Sequence, residues 1–176
     1  MTLDRLLVIH CAPTLANLKC SSLVCLNNLD SPCLDVISKL NDKGLSFLFL
    51  SNRKGCPLLF LYRRKGLEKA LQEERARILL ERYGYDSSNL DLCLTRLAKR
   101  LLECDFPHEI GLFLGYPAHD VEDFIKNKGQ NCIMKGYWKV YHDKETATNT
   151  FKRYEKCRKV YTNCFDNGSS IERLCV

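Results

Sequence analysis

The sequence FPHEIGLFLGYPAHDVEDFIKNKGQNCIMKGYWKVY, residues 106–141, decides the predicted fold. Its first part, Glu109–Tyr116, is apolar on both alternating faces, which is typical of a strand covered on both sides. Pro117 and Gly129 then bound a helix, because proline favours a first helical turn and glycine favours a helix stop. Residues 136–142 alternate in polarity and predict a second strand. Together these segments predict a strand–helix–strand unit with the 109–116 strand inside a sheet.

The remaining segments predict two more strands and several more helices. Two apolar runs, residues 45–50 and 57–62, are joined by a turn-forming segment and predict a β-hairpin. Residues 19–30 predict a loop. The helices are predicted at residues 2–9, 14–18, 32–43, 67–83, 88–104 and 143–164, with a short helix in the tail. The expected fold class is therefore α/β, a single domain over residues 1–176 with about four strands in a mixed sheet and about seven helices.

Composition indicates a globular chain from a reducing compartment. The chain has 176 residues and a hydrophobic content of 45%, enough for a sizeable core, and no apolar run is long enough to cross a bilayer. The early Asp4 and the short apolar run from Leu6 to Ile9 do not match a signal peptide. Eleven cysteines, an odd number, argue against a disulfide framework and match no standard zinc spacing. We expect a cytoplasmic protein without a membrane anchor or a metal site.

The positive charge is concentrated in one segment. The net charge of the chain is +6, and residues 126–160 carry ten Lys and Arg against three Asp and Glu, a net of +7. Such a segment could attract an anionic small molecule, nucleic acid or an acidic protein partner, or it could be an ordinary solvated helix face. No nucleic-acid-binding motif is present.

Four phrases carry a resemblance to a known family: HCAPTLANLKCSSL at 10–23, FPHEIGLFLGYPAHDVEDFI at 106–125, GYWKVY at 136–141 and FKRYEKC at 151–157. The chain resembles, over nearly its whole length, the uncharacterised bacterial family catalogued as domain of unknown function 3793. That family is known mostly from anaerobic Gram-positive bacteria. The resemblance implies no activity, cofactor or catalytic residue. The genes of family members lie near flavodoxin or iron-uptake genes. The resemblance therefore also implies a redox or iron-related role as an expectation.

The first candidate site is His10 with Cys11. Cys11 is predicted to lie just ahead of a helix capped by Thr14, where the helix dipole would lower the pKa of the thiol. His10 could act as a base or a co-ligand. The alternative is a buried cysteine at a helix break with His10 capping backbone groups.

The second candidate site lies on the predicted strand 136–142 and the helix that follows. Tyr137, Lys139 and Tyr141 are expected to share one strand face, where rings could stack on an anion and lysine could pair with it. The alternative is a solvated face with lysine lying between tyrosines. The predicted ligand-binding set is Lys135, Tyr137, Lys139, Tyr141, Lys152, Arg153 and Lys156. We expect the double change of Tyr137 and Lys139 to alanine to weaken binding more than the same change of Lys152 and Lys156.

A histidine and an acidic residue lie next to each other at each end of the predicted 109–116 strand. His108 and Glu109 precede it and His119 and Asp120 follow it, so the two pairs are expected at opposite ends of the strand. No catalytic motif appears, and whether the protein is an enzyme is left open. Two functions remain. The first is a cytosolic binding or accessory protein for an anionic ligand or acidic partner. The second is a thiol-dependent redox, metal or haem-handling protein that uses Cys11.

Overall fold

A computed structural model describes residues 1–26 and 34–176. The described helices are α1 (Leu3–Leu15), α2 (Leu34–Asn41), α3 (Arg64–Leu71), α4 (Glu74–Arg82), α5 (Leu90–Glu103), α6 (Ile110–Phe113), α7 (Ala118–Lys126), α8 (Lys144–Asp166) and α9 (Ile171–Leu174). The described strands are β1 (Ser21–Cys25), β2 (Ser46–Ser51), β3 (Pro57–Tyr62), β4 (Met134–Lys135) and β5 (Lys139–Val140). The predicted α/β character is confirmed. The predicted helix start at residues 30–32 lies outside the described residues.

The strands form two antiparallel sheets where a single mixed sheet was predicted. The larger sheet has the order β1-β3-β2, and β4 pairs with β5 in a separate hairpin. The hairpin of β2 and β3 is confirmed, and β3 is the central strand. The predicted loop at 19–30 was wrong for Ser21–Cys25, which pairs with Leu58–Tyr62, and its residues 27–30 lie outside the described part of the chain. Serine does not favour strands, so pairing with the apolar β3 outweighs local propensity here.

Strand β3 separates two hydrophobic cores. Leu58, Phe60 and Tyr62 belong to a core formed with helices α3 to α7. Leu59 and Leu61 point the other way, into a core formed mainly with α1, α2 and α9. Alternation along a strand requires this division, because successive side chains point to opposite faces. The strand covered on both sides is therefore β3.

The predicted strand at 109–116 was wrong, because its centre forms the short buried helix α6. A continuous apolar run does not distinguish a buried strand from a buried helix. Gly115 has φ +71°, and the amide of Tyr116 donates to the carbonyl of Gly111, which is a glycine-terminated helix end. The buried carboxylate of Glu109 accepts from Tyr85 Oη at 3.1 Å and Arg100 Nε at 2.7 Å, which fixes the start of the segment.

Several helix boundaries also differ from prediction. Residues 3–15 form one helix with Pro13 inside it, although proline cannot donate to the carbonyl four residues earlier. The predicted helix 67–83 is divided in two, with Glu73 accepting from the amides of Arg75 and Ala76 to cap α4. Asn89, not Ser87 or Ser88, caps α5. Helix α7 and the Asp143-capped α8 agree with the prediction.

Within residues 1–26 and 34–176, none of the helices combines the length and apolar character that crossing a lipid bilayer requires.

Candidate functional site

A buried carboxylate positions the hairpin of β4 and β5. Asp120, in the first turn of α7, is only 3% exposed. Its Oδ2 accepts from Trp138 Nε1 at 2.8 Å, and its Oδ1 accepts from the amides of Tyr141 at 2.9 Å and His142 at 3.1 Å. Three N–H donors satisfy a carboxylate that would otherwise be costly to bury. Asp120 therefore ties the hairpin to α7.

The turn of the hairpin packs closely against α8. Gly136 sits so near Phe151 that a Cβ built on it would overlap the phenyl ring. The rings of Trp138 and Tyr137 lie 4.5 and 5.6 Å from that of Phe151, measured between centroids. The hairpin is thus held between α7 on one side and α8 on the other. An open space lies on each side of it.

The first space, called the aromatic cleft here, lies between the hairpin and helices α6 and α7. Its volume is about 570 Å³, within the range of small-molecule sites. Tyr116 and Trp138 stack in it with centroids 5.4 Å apart. The residues that line the cleft are Phe106, His108, Ile110, Gly111, Leu114, Tyr116, Asp120, Val121, Phe124, Lys135, Gly136, Trp138 and Lys139. The cleft is a concave, mostly apolar surface with a few polar groups.

Two lysines on adjacent strands reach the aromatic cleft. Lys135 and Lys139 are direct partners in the antiparallel register, and both line the cleft. Lys139 Nζ donates to the carbonyl of Gly129 at 2.7 Å and lies 5.5 Å from the centroid of Phe124. Neither ammonium group forms an ion pair with any residue in the described ranges. The two lysines are therefore adjacent in the register and neither is paired with a carboxylate, while the Asp120 carboxylate that also lines the cleft is occupied by its three N–H donors.

His108 completes the polar part of the cleft. Its ring lies 5.1 Å from that of Phe124 in an edge-on arrangement. The prediction placed His108 and Asp120 at opposite ends of a strand. Because α6 is a single helical turn, the chain folds back and brings both residues to the same cleft. The short rise of a helix, about 1.5 Å per residue, makes this possible.

A second space, the basic groove, lies on the other side of the hairpin against α8. It has a volume of about 630 Å³ and is lined by Gly136, Tyr137, Phe151, Lys152, Glu155, Lys156, Lys159 and Val160. Burial, and then the charge of Glu155, raises the pKa of Tyr137. Glu155 pairs with Arg158 at 2.8 Å and lies 4.0 Å from Lys159. Part of the positive charge of the groove is thus already balanced.

The structure divides the predicted ligand-binding set between these two spaces. Lys135 and Lys139 line the aromatic cleft, whereas Tyr137, Lys152 and Lys156 line the basic groove. The predicted common face of Tyr137, Lys139 and Tyr141 was wrong, because β5 is only two residues long and Tyr137 lies in the turn. Arg153 is exposed and lines neither space. The hydroxyl of Tyr141 is shielded from solvent and has no hydrogen-bond partner among the described residues.

The predicted position of Cys11, just ahead of a helix, was also wrong. Cys11 lies inside α1 and is 0% exposed, whereas its neighbour His10 is exposed. Burial raises the pKa of the Cys11 thiol to about 12, against the smaller lowering effects of Lys19 and Ser22. Cys11 is therefore not at a helix N-terminus, and its thiol is protonated near neutral pH. In the part of the chain that the structure describes, no three His, Cys, Asp or Glu side chains are arranged to hold a metal ion.

The sequence reasoning found the two lysines but missed their surroundings. Tyr116 was assigned to a strand and Phe124 to a helix face, and His108 was placed ahead of the strand, far from Asp120. The sequence did contain a signal for this site: Phe106, His108, Tyr116 and Phe124 lie on either side of one short apolar segment that ends at a glycine. A helical turn at that position would have directed several of these side chains to one place.

The fold and the site define a small α/β protein with an aromatic cleft beside a short β-hairpin. The family model described as protein of unknown function (DUF3793) matches residues 7–175. The chain belongs to this family, which confirms the resemblance found in the sequence. No curated protein and no solved structure matches the chain.

Proposed function

We propose that this protein binds an anionic small molecule with a flat apolar body in the aromatic cleft. The rings of Tyr116, Phe124 and Trp138 offer stacking surfaces for the body of such a ligand. Lys135 and Lys139 offer charge-assisted hydrogen bonds for a phosphate, carboxylate or sulfonate group. The protein then acts as a binding or accessory protein.

The pairing of Lys135 with Lys139 is the observation that carries the proposal. Like charges directly opposite each other destabilise an antiparallel pair. A two-stranded hairpin has little stability of its own to offset this repulsion. An anion bound between the two ammonium groups would remove the repulsion and gain a hydrogen bond from each. The favoured occupant of this edge of the cleft is therefore negatively charged.

The aromatic rings are needed as well as the lysines. Lys135 is exposed, and attraction between exposed charges is screened over about 8 Å at physiological salt. Stacking on a desolvated ring adds a contribution that salt does not screen. The aromatic cleft is favoured over the basic groove because Glu155 already balances part of the charge in the groove.

The proposed compartment is the bacterial cytoplasm. The odd number of cysteines suits a reducing compartment, and the earlier resemblance is to bacterial proteins. The alternative function, thiol chemistry at Cys11, has little support because that thiol is buried and its pKa is raised. The competing proposal is that an acidic protein partner binds in the basic groove. The experiment must distinguish this partner from a small anion in the aromatic cleft.

The proposal is tested with two dyes that differ in one charged group. 1-Anilinonaphthalene-8-sulfonate is anionic, and N-phenyl-1-naphthylamine has the same rings without the sulfonate. The protein has a single tryptophan, Trp138, so its fluorescence reports directly on the cleft. We expect the double variant Lys135→Gln with Lys139→Gln to raise the Kd of the anionic dye about tenfold or more, since charged hydrogen bonds contribute about 1.5–3 kcal/mol each. The neutral dye should bind equally to both proteins.

The matched control is Lys152→Gln with Lys156→Gln, which removes the same charge from the basic groove. This variant should change the Kd of the anionic dye less than about twofold, because Coulomb attraction at that distance is screened. Equal losses in the two double variants would show that net charge alone attracts the dye. Equal losses for both dyes would show that the lysines maintain the fold and not the ligand. Either result would contradict the proposal.

A further inference from the structure

The thiols of Cys25 and Cys56 lie next to each other at the end of the larger sheet. Cys25 is the last residue of β1, and Cys56 immediately precedes β3. Their Sγ atoms are 2.8 Å apart. A disulfide bond measures about 2.05 Å, so only a small movement separates this arrangement from a covalent link.

The strand register explains why the two side chains meet. Cys25 pairs with Leu58, and Cys56 lies two residues before Leu58 on the same strand face. The amide of Leu26 donates to the carbonyl of Pro57 at 2.9 Å, which continues the ladder beyond Cys25. The amide of Cys56 donates to Asn52 Oδ1 at 2.9 Å, and the carbonyl of Cys56 accepts from the amide of Asn52. The strand ladder at Cys25 and the two hydrogen bonds between Cys56 and Asn52 therefore hold both residues in place.

These two thiols are also accessible. Cys25 is exposed and Cys56 is half-buried, whereas Cys11 and Cys93 are buried. Burial raises the pKa of Cys11 to about 12 and that of Cys93 to about 11, which makes their thiolates scarce. A solution disulfide can reach Cys25 without any opening of the fold. Access, together with proximity to a second sulfur, distinguishes a redox pair from a structural cysteine.

We propose that Cys25 and Cys56 form a redox-active dithiol that low-molecular-weight disulfides convert reversibly into an intramolecular disulfide. The Cys25 thiolate attacks one sulfur of the small disulfide, forms a mixed disulfide and releases one small thiol. Cys56 then attacks the Cys25 sulfur and releases the second small thiol. The protein loses two protons and two electrons, and the small disulfide takes them up to become two thiols. Excess small thiol reverses both steps.

The test is equilibration of the folded protein with mixtures of reduced and oxidised glutathione, followed by acid quenching, alkylation and peptide mapping. Trypsin places Cys56 on peptide 55–63 and Cys25 on peptide 20–39, which also holds Cys20 and Cys33. Fragmentation of the linked peptides then assigns the bond. We expect a Cys25–Cys56 link whose amount rises and falls with the glutathione ratio. The oxidised protein should melt about 5 °C or more above the reduced protein, because the link closes a loop between the two positions.

Two cysteine variants provide a second test and its control. Cys25→Ser should abolish the linked peptide and the rise in Tm on oxidation, while Cys104→Ser, at a partly buried cysteine after α5, should leave both unchanged. The mapping of the unaltered protein decides the question even if a variant folds poorly. Absence of the Cys25–Cys56 link at an oxidising ratio would overturn the proposal. A link from Cys56 to Cys20 or Cys33 in its place would overturn it as well.

Discussion

Asp120 is the residue on which the site depends most. Its carboxylate joins three N–H groups from three residues of the hairpin region, Trp138, Tyr141 and His142. No single neutral side chain of the same size accepts all of these hydrogen bonds. Asp120 also orients the indole of Trp138, which forms one wall of the aromatic cleft. A carboxylate in the first turn of a helix interacts favourably with the helix dipole, but the larger role of Asp120 is to position the hairpin.

The change Asp120→Asn should therefore lower the free energy of unfolding by about 1–3 kcal/mol, because at least one buried N–H loses its acceptor. Urea unfolding measures this loss. The control is Asp105→Asn, whose side chain is 81% exposed and which should change stability by less than about 0.5 kcal/mol. Equal effects of the two changes would show that Asp120 does not hold the hairpin.

At the scale of elements, the hairpin of β4 and β5 is short and depends on its neighbours. Two residues per strand cannot form a stable hairpin in water, so packing against α7 and α8 must supply the stability. Within that packing, Gly136 lies against the ring of Phe151 with no room for a Cβ between them. Sequence alternation correctly indicated extended backbone near 139–140. It could not show that Tyr137 and Lys139 lie on different sides of the hairpin, because the turn depends on a glycine contact with a distant helix.

The change Gly136→Ala should destabilise the protein by about 1–3 kcal/mol, since the new methyl group must displace the ring of Phe151. The double variant Gly136→Ala with Phe151→Leu provides the control. Removing the ring should restore part of the loss, giving a coupling energy of about 1 kcal/mol in a double-mutant cycle of thermal unfolding. Strictly additive losses would mean that the two residues do not restrain each other.

At the scale of the whole molecule, the sequence predicted the fold class but assigned the central strand to the wrong segment. Both 57–62 and 109–116 are continuous apolar runs, and such runs do not by themselves distinguish strands from buried helices. The Asn-Gly-containing turn before β3 identified the hairpin, whereas Gly115 as a helix end was the signal that distinguished α6. The pairing of β1 depends on a partner more than thirty residues away, which local pattern does not reveal.

The positive segment 126–160 was identified correctly from charge, but charge alone could not divide it into two spaces. That division follows from the hairpin, which places Lys135 and Lys139 in the aromatic cleft and Tyr137 in the basic groove. On α8, Lys152 and Lys156 lie one turn apart and both are exposed. The position of Cys11 was predicted wrongly because a proline near a helix end does not always break the helix.

The most direct measurement locates an anionic aromatic molecule on the folded protein by nuclear magnetic resonance. The indole N–H of Trp138 gives a unique signal because the chain has one tryptophan. We predict that titration with 1-anilinonaphthalene-8-sulfonate shifts this signal and the amides of Gly111 and Lys139 in a saturable manner, and leaves Lys159 and Val160 nearly unchanged. Shifts centred on Lys156, Lys159 and Val160, or no saturable shift of the Trp138 signal, would contradict the account.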